Sequence, residues 1–153
     1  MHTRNFCILV SGRQQTLTLC EGDRVVFEAL VSTSRHGFGS EAGSFCTPTG
    51  NFSIGEKIGE DAPRGAVFKG RRWTGAVADK SSKEDQICTR ILWLDGMDAE
   101  NANTRSRYIY IHGTNHPESI GTPASIGCVR MLDDDLITLF DIVEVGDPLV
   151  IAE

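Results

Sequence analysis

Two short segments dominate this sequence: Tyr110-Ile111-His112-Gly113-Thr114-Asn115 and Ser125-Ile126-Gly127-Cys128-Val129-Arg130. The first is a strand-like apolar run that ends in a histidine, and the second places a cysteine behind a glycine, sixteen residues after that histidine. The loop between them contains Gly121 and Pro123, so the chain can fold back and bring the two side chains together. We interpret His112 and Cys128 as a base and a nucleophile, and the rest of the chain as their scaffold.

The composition of the 153-residue chain bounds its class. Its length fits one domain, which we place at residues 1–153, and allows a sizeable hydrophobic core. The net charge of −6 at pH 7 argues against a nucleic-acid partner, because phosphate binding needs a basic surface. No apolar run approaches the length that spans a bilayer, so we expect no membrane insertion.

The first residues and the cysteines bear on the location of the protein. The apolar run Phe6–Val10 is too short for a secretion signal, and no cleavage site follows it. We therefore expect a cytoplasmic protein, or a periplasmic one whose signal has been removed. No Cys-x-x-Cys pair occurs, which disfavours a structural zinc site. Five scattered cysteines without an obvious disulfide framework suit a reducing compartment. The cysteines are Cys7, Cys20, Cys46, Cys88 and Cys128. We expect no metal and no cofactor.

Hydrophobic periodicity predicts mainly β structure. The segments predicted as strands are residues 6–10, 16–20, 24–32, 51–58, 87–94, 107–112 and 148–152. Residues 59–86 form a long polar excursion around short strands, which is typical of a functional loop. Apolar residues at 136, 140 and 143 share one face and predict a short helix, with Asp133, Asp134 or Asp135 as its cap and Gly146 as its end. The expected fold is a single-domain β-sandwich or barrel with one short late helix.

Cys128 is the candidate nucleophile, because a neighbouring imidazole can generate the thiolate that attacks. Gly127 leaves space beside the sulfur, and the N–H groups of Gly127 and Cys128 can stabilise an oxyanion. The alternative is a buried structural cysteine, which is the commoner fate of a single cysteine. For His112, the alternative to a base is a hydrogen-bonded core histidine.

The other titratable residues are weaker candidates. His116 is a competing base, but it lies in a Pro-containing loop where we expect exposure, and His2 and His36 belong to no motif. No acidic residue stands out as an orienting partner of His112, and Glu118 is expected on a solvated face. A backbone carbonyl can orient the imidazole instead.

The residues from His112-Gly113-Thr114 to Ser125-Ile126-Gly127-Cys128-Val129-Arg130-Met131 resemble the signature of the YkuD-type L,D-transpeptidases. Thr47-Pro48-Thr49-Gly50-Asn51-Phe52, a turn by composition, resembles the second recurrent stretch of that family. The resemblance covers nearly the whole chain and implies a β-rich catalytic domain with a covalent cysteine mechanism. One position departs: this chain has Ile126 where the family usually has a histidine before Gly-Cys.

Carried over residue by residue, the resemblance makes Cys128 the nucleophile and His112 its base. It implies that the main-chain carbonyl of Gly113 orients the imidazole. Ser125 and Gly127 would shape the nucleophile loop and the oxyanion site, and Arg130 would steady that loop or contact a substrate carboxylate.

The resemblance also implies a substrate, the peptidoglycan stem tetrapeptide. The thiolate would attack the carbonyl at the L-centre of the third residue and expel the terminal D-Ala, and the acyl group would pass to water or to an amine. Because we expect a cytoplasmic location, where soluble muropeptides are recycled and water is the abundant acceptor, we favour an L,D-carboxypeptidase. The alternatives are an L,D-transpeptidase that forms 3-3 cross-links and a catalytically impaired domain that binds peptide or wall fragments. Carbapenems are the inactivators that the resemblance implies.

Several other features have simpler explanations. Residues 50–57 imitate a phosphate-binding loop, but a glutamate stands in the lysine position and a strand is expected. Trp73 and Trp93 can line a substrate groove, although core packing is favoured for Trp93. Arg90 and Arg107 are expected to be exposed strand residues rather than ligands of a substrate carboxylate.

Overall fold

The computed structural model describes residues 4–153, so His2 and the first residues of the predicted domain lie outside the described range. The strands are β1 (Phe6–Ser11), β2 (Thr16–Glu21), β3 (Arg24–Ser32), β4 (Gly50–Ile58), β5 (Ala66–Lys69), β6 (Arg72–Val77), β7 (Ile87–Gly96), β8 (Tyr110–Thr114), β9 (Val129–Met131) and β10 (Pro148–Ala152). Helix α1 (Asp133–Ile142) is the one α-helix among these residues, and a 3-10 turn covers Pro117–Ser119. No helix in this range has the length and hydropathy of a membrane span. The prediction of a mainly β fold with one late helix is confirmed.

The strands form one sheet that closes on itself. Its order is β4-β10-β1-β2-β3-β9-β8-β7-β5-β6, and β4 also pairs with β7. Eight strands therefore make a closed barrel, and the β5–β6 hairpin extends from it beside β7. Most neighbours are antiparallel, but β1–β10 and β8–β9 are parallel. Closure leaves no free edge around the barrel itself.

The barrel interior is filled by alternate residues of its strands. On β1, Ile8 and Val10 are buried while Leu9 between them is largely exposed, as the period of two requires. Helix α1 closes one end of this core with Leu136, Leu139 and Phe140. The packing fixes the helix against β7 and β8, and hence against the strand that carries His112.

Six of the seven predicted strands occur with their ends within two residues of the prediction. The seventh, predicted at residues 107–112, starts only at Tyr110. The residues before it are turns, because Asn101 bonds the carbonyls of Thr49 and Asn51 and Tyr108 takes a left-handed φ of 58°. Strand β9 has three residues and was not predicted, since such a length leaves no periodic pattern.

Helix α1 begins at the predicted place, but its predicted cap is wrong. The N-cap residue is Leu132, which follows β9 directly and offers no side-chain hydrogen bond. The three aspartates lie in the first turn, where their charge favours the helix dipole. They stabilise the start of the helix by position rather than by capping it.

The predicted excursion at residues 59–86 contains the β5–β6 hairpin, which turns at Gly70 and Arg71, both with positive φ. Residues 78–86, called here the 78–86 loop, then return to the barrel. The buried side chain of Asn115 holds this loop: its amide group donates to the carbonyls of Asp79 (2.9 Å) and Glu84 (3.1 Å). The loop is thereby fastened beside the end of β8.

Two leucines, one within helix α1 and one at its N-cap, give a matched stability test. Leu136 is fully buried, whereas Leu132 is 37% exposed. We expect Leu136→Ala to lower the free energy of unfolding by about 2–5 kcal/mol, because it removes buried methyl groups and leaves a cavity. Leu132→Ala should change it by about 0.5 kcal/mol or less. Equilibrium urea unfolding measures both, and equal losses would contradict this description of the core.

Candidate active site

His112 lies in the middle of β8 with its side chain buried. Its Nδ1 is 2.5 Å from the carbonyl oxygen of Gly113. Because a carbonyl only accepts hydrogen bonds, Nδ1 carries the proton and donates, and Nε2 keeps a free lone pair. The backbone therefore fixes both the tautomer and the orientation of the ring.

Gly113 is required at its position by close neighbours. A Cβ there would collide with the Asp133 carboxylate and would lie 2.7 Å from the carbonyl oxygen of Cys88. The crowding arises at a bulge in β7, where Thr89 takes a left-handed φ of 77° and the pairing with β8 shifts. A β-branched residue with positive φ is strained, and such strain is often found at functional sites.

Cys128 immediately precedes β9, which runs parallel to β8. The register pairs Ile111 with Val129 and His112 with Arg130. Side chains alternate along a strand, so Cys128 and Arg130 point to the same side of the sheet as His112. The register of two parallel strands thus brings the cysteine and the histidine together.

The thiol of Cys128 has its own backbone partners. It donates to the carbonyl of Tyr108 at 3.4 Å and accepts from the N–H of Tyr110 at 3.4 Å. The left-handed conformation of Tyr108 directs that carbonyl at the sulfur. Among the described residues, the hydrogen bonds of the sulfur go to these two tyrosines and not to His112.

The loop before Cys128 is held by hydroxyl groups. Ser125 Oγ donates to the Cys128 carbonyl at 2.6 Å and accepts from the Gly127 N–H at 3.3 Å. Gly127 has a φ of 130°, which favours glycine. Thr47 Oγ1 donates to the Gly127 carbonyl at 3.0 Å, so the turn at residues 47–50 also holds the nucleophile loop in place.

A cavity of about 130 Å³ joins these groups, and its walls are Asp85, Ile87, His112, Ser125, Ile126, Cys128 and Arg130. It brings together five residues of the sequence-derived motif, including Ile126, which is 47% exposed. Gly113 stands behind His112 and contributes its carbonyl. Asp85 and Ile87 were not foreseen from the sequence. The only sequence signal for them was the length of the excursion at residues 59–86, which contains Asp85 and ends just before Ile87.

Arg130 is ion-paired inside this site. Its Nη2 lies 2.5 Å from Asp85 Oδ2, and its side chain is 4% exposed. His116, the competing base, is half-buried rather than exposed as expected. Its Nε2 contacts the carbonyl of Ser82 at 2.7 Å, and its Nδ1 lies 3.4 Å from Asp85. His116 therefore fastens the 78–86 loop instead of lining the cavity.

Burial keeps both members of the pair neutral. It lowers the pKa of His112 to about 4, against which the Gly113 carbonyl acts only in part. It raises the pKa of the Cys128 thiol to about 11, opposed by the Tyr110 N–H and by the charges of Arg130 and Arg107. At neutral pH the site thus holds a thiol and an uncharged imidazole, not an ion pair.

The remaining predicted residues lie elsewhere. Arg90 is buried and donates to the carbonyl of Ala62, so its predicted exposure is wrong. Arg107 is half-buried and donates to the carbonyl of Cys46 at 2.8 Å. Trp93 packs against the second core cluster, as favoured, whereas Trp73 is exposed beside an open groove on the hairpin.

Two further expectations concern Glu118 and the segment that imitates a phosphate-binding loop. Glu118 is exposed, as predicted, and residues 50–57 lie in strand β4 rather than in a phosphate-binding loop. Within residues 4–153 no group of three or more His, Cys, Asp or Glu side chains is arranged to hold a metal ion.

Comparison with protein families matches residues 5–151 to the L,D-transpeptidase catalytic domain, YkuD. Among curated proteins, the chain is similar to the putative L,D-transpeptidase YqjB of Bacillus subtilis, with 33% identity over 107 residues that cover 70% of this chain and 52% of that protein. It is also similar to the putative L,D-transpeptidase YkuD of the same organism, with 51% identity over 41 residues, 27% of this chain and 25% of that protein. The matched region spans about half the length of the first relative and a quarter of the second.

Solved structures share the fold. An L,D-transpeptidase from Xylanimonas cellulosilytica superposes with a TM-score of 0.63 at 19% identity, covering 99% of this chain and 62% of that one. An LD transpeptidase solved in complex with imipenem gives a TM-score of 0.62 at 20% identity, covering 97% of this chain and 59% of that one. At these identities the likeness concerns the fold alone.

The raised pKa of the thiol predicts the pH dependence of its alkylation. A thiol with an ordinary pKa of 9.0 is alkylated with a midpoint near that pH, but Cys128 should show a midpoint near 11, because only its thiolate reacts. The measurement is iodoacetamide labelling across pH, with peptide mapping to separate the five cysteines. A midpoint below neutrality would instead indicate a preformed thiolate–imidazolium pair.

Gly113 and Gly39 provide a matched backbone test. Gly113→Ala should lower the free energy of unfolding by about 1–3 kcal/mol, because the new methyl group collides with its neighbours. It should also shift the NMR resonance of the His112 Nδ1 proton. Gly39→Ala meets Cys46 at an ordinary 3.6 Å and should leave both unchanged. An unchanged resonance in Gly113→Ala would refute the orienting contact.

Proposed function

Since the chain belongs to the L,D-transpeptidase catalytic domain family, we propose that it cleaves peptidoglycan stem tetrapeptides through a covalent intermediate on Cys128. The observation that carries the proposal is the orientation of His112. Its Nδ1 is occupied by the Gly113 carbonyl, so Nε2 is left for the cavity that it shares with Cys128. A base and a nucleophile in one cavity are the minimum for acyl transfer.

The acylation step begins from the neutral pair. The thiol leaves the Tyr108 carbonyl, His112 Nε2 takes its proton, and the sulfur attacks the carbonyl carbon of the third stem residue. The negative charge that forms on the carbonyl oxygen is stabilised by the N–H groups of Cys128 and Gly127, the second of which exchanges its bond to Ser125 Oγ for one to the oxyanion.

Collapse of this intermediate breaks the bond to D-Ala. Protonated His112 gives its proton to the leaving amine, so D-Ala departs with a free amino group and the thioester remains on Cys128. His112, again neutral, then takes a proton from the acceptor that attacks the thioester. The lowered pKa of the histidine makes its protonated form a strong acid for the leaving amine.

Water is the acceptor that we favour, which makes the protein an L,D-carboxypeptidase of muropeptide recycling. The support is the small volume of the cavity, about 130 Å³, which admits water more easily than a second stem peptide. The second candidate is an L,D-transpeptidase that forms 3-3 cross-links. The proposed location is cytoplasmic, which suits the free state of all five cysteines, and a periplasmic location goes with the second candidate.

Soluble tetrapeptide separates the two acceptors. Incubation with the protein should yield tripeptide and D-Ala by mass spectrometry, also when a second peptide amine is present. Cross-linked dimers without tripeptide would overturn hydrolysis and favour the transpeptidase.

A catalytically impaired binding domain is the third candidate, and Ile126 in place of the family's histidine is its motive. Imipenem, which occupies a similar solved structure, provides a substrate-free test. We expect a mass increase on Cys128 from ring opening by the thiol. If the domain is catalytically impaired, the wild-type protein and Cys128→Ala should bind stem peptide equally well, and the wild type should show neither turnover nor an adduct.

Substitution of the pair tests the mechanism. Cys128→Ser should abolish turnover and the imipenem adduct, and His112→Gln should lower kcat/KM for tetrapeptide by about 10²–10⁴-fold, because it removes the base. His36→Gln is the matched control: this exposed histidine lies outside the cavity, so its kcat/KM should stay at the wild-type value. Undiminished turnover in His112→Gln would rule out its role as the base.

A further inference from the structure

The Asp85–Arg130 ion pair has no role in the steps described above. Arg130 emerges from β9 opposite His112 and two residues after Cys128, so its guanidinium stands beside the reacting groups. A buried cation needs an anionic partner, because an unpaired charge in the interior is strongly destabilising. Among residues 4–153, Asp85 is the one carboxylate at ion-pair distance from it.

The two partners of this pair are held very differently. Arg130 is part of the barrel, and its side chain is 4% exposed. Asp85 comes from the 78–86 loop, and its side chain is 31% exposed, with His116 Nδ1 at 3.4 Å as its second contact. The cation is therefore fixed in the scaffold, while its carboxylate sits at the mouth of the cavity and can be replaced from solvent.

The cavity beside the pair fits one small residue. Apart from Asp85 and Arg130, its walls include the apolar side chains of Ile87 and Ile126, and its volume is about 130 Å³. A D-alanine residue has the three matching features: a carboxylate for the guanidinium, a methyl group for the isoleucines and a scissile amide within reach of the cysteine. A guanidinium binds any carboxylate by the same paired N–H groups, so one carboxylate can take the place of another.

Building on the proposed function, we propose that Asp85 is a specificity-determining residue that occupies, in the free protein, the side of Arg130 where the α-carboxylate of the leaving D-alanine binds. Substrate enters by exchanging its carboxylate for that of Asp85. The site then selects stem peptides that end one residue after the scissile bond, because a longer or amidated peptide brings no charge to Arg130.

Two donor peptides that differ only at their C-terminus test this selection on the unaltered protein. They are the tetrapeptide with a free D-Ala carboxylate and the same peptide with a C-terminal carboxamide. We expect the carboxamide to have a KM at least about tenfold higher, the value of one charged hydrogen bond, with little change in kcat. Equal KM values would overturn the proposal while leaving the proposed hydrolysis intact.

The variant Asp85→Asn removes the competitor. It should lower the KM for the free-acid peptide several-fold and leave that for the carboxamide unchanged. Glu84→Gln is the matched control, because it removes the same charge from the neighbouring position of the loop, which has no ion pair with Arg130. A purely structural role for Asp85 would lower kcat and raise KM for both peptides, which would contradict the proposal.

A measurement without turnover keeps the test independent of the proposed function. N-acetyl-D-alanine should slow iodoacetamide labelling of Cys128, N-acetyl-D-alaninamide should not, and Asp85→Asn should strengthen the protection by the acid. If neither tetrapeptide is cleaved but the acid alone protects, the hydrolase proposal fails and the carboxylate site stands. Equal protection by both compounds would refute the carboxylate site. Because this comparison uses the unaltered protein, it can be made even if Asp85→Asn does not fold.

Discussion

The contact between His112 Nδ1 and the Gly113 carbonyl is the constraint on which the rest of the site depends. An acidic partner would hold the imidazole equally well, but it would also raise the pKa of the ring. A neutral carbonyl orients the ring without adding a charge, so burial lowers the pKa to about 4 and the ring stays neutral. The carbonyl belongs to Gly113, and the bulge at Thr89 and the start of α1 leave no room for a larger residue at that position.

Because His112 and Cys128 are both uncharged, any charge that acts on the sulfur comes from neighbouring residues. Arg130 lowers the pKa of the Cys128 thiol more than Arg107 does, but Asp85 is ion-paired with Arg130 and compensates its charge. The thiol accordingly rests on backbone groups of Tyr108 and Tyr110 rather than on the histidine. In the resting state, therefore, the nucleophile is partly buried, protonated and hydrogen-bonded to the backbone.

Local pattern was sufficient for most of the fold. Alternation along β1, β2 and β4 follows from one face meeting the core, so these strands were predictable from short windows of sequence. Closure of the barrel was not predictable, because it requires β4 to pair with β10 on one side and β7 on the other. The resemblance to the L,D-transpeptidases is confirmed by the family match. The motif singled out His112 and Cys128, and both residues line one cavity. Asp85 escaped notice because it reaches the site only through tertiary packing of a loop with no periodicity.

The resting state of Cys128 and the proposed carboxylate exchange at Arg130 concern the same cavity. A thiolate is the form of cysteine that oxidants and alkylating agents attack, so a thiol with a pKa of about 11 is protected while the cavity is empty. When a substrate carboxylate replaces Asp85, the compensating charge moves from a loop residue to the molecule that is to be cleaved. The guanidinium then holds the leaving residue by its carboxylate, and the N–H groups of Cys128 and Gly127 stabilise the negative charge that develops on the carbonyl oxygen during attack. On this view Arg130 couples recognition to positioning: the carboxylate that identifies a cleavable peptide also holds that peptide with its scissile amide beside the cysteine.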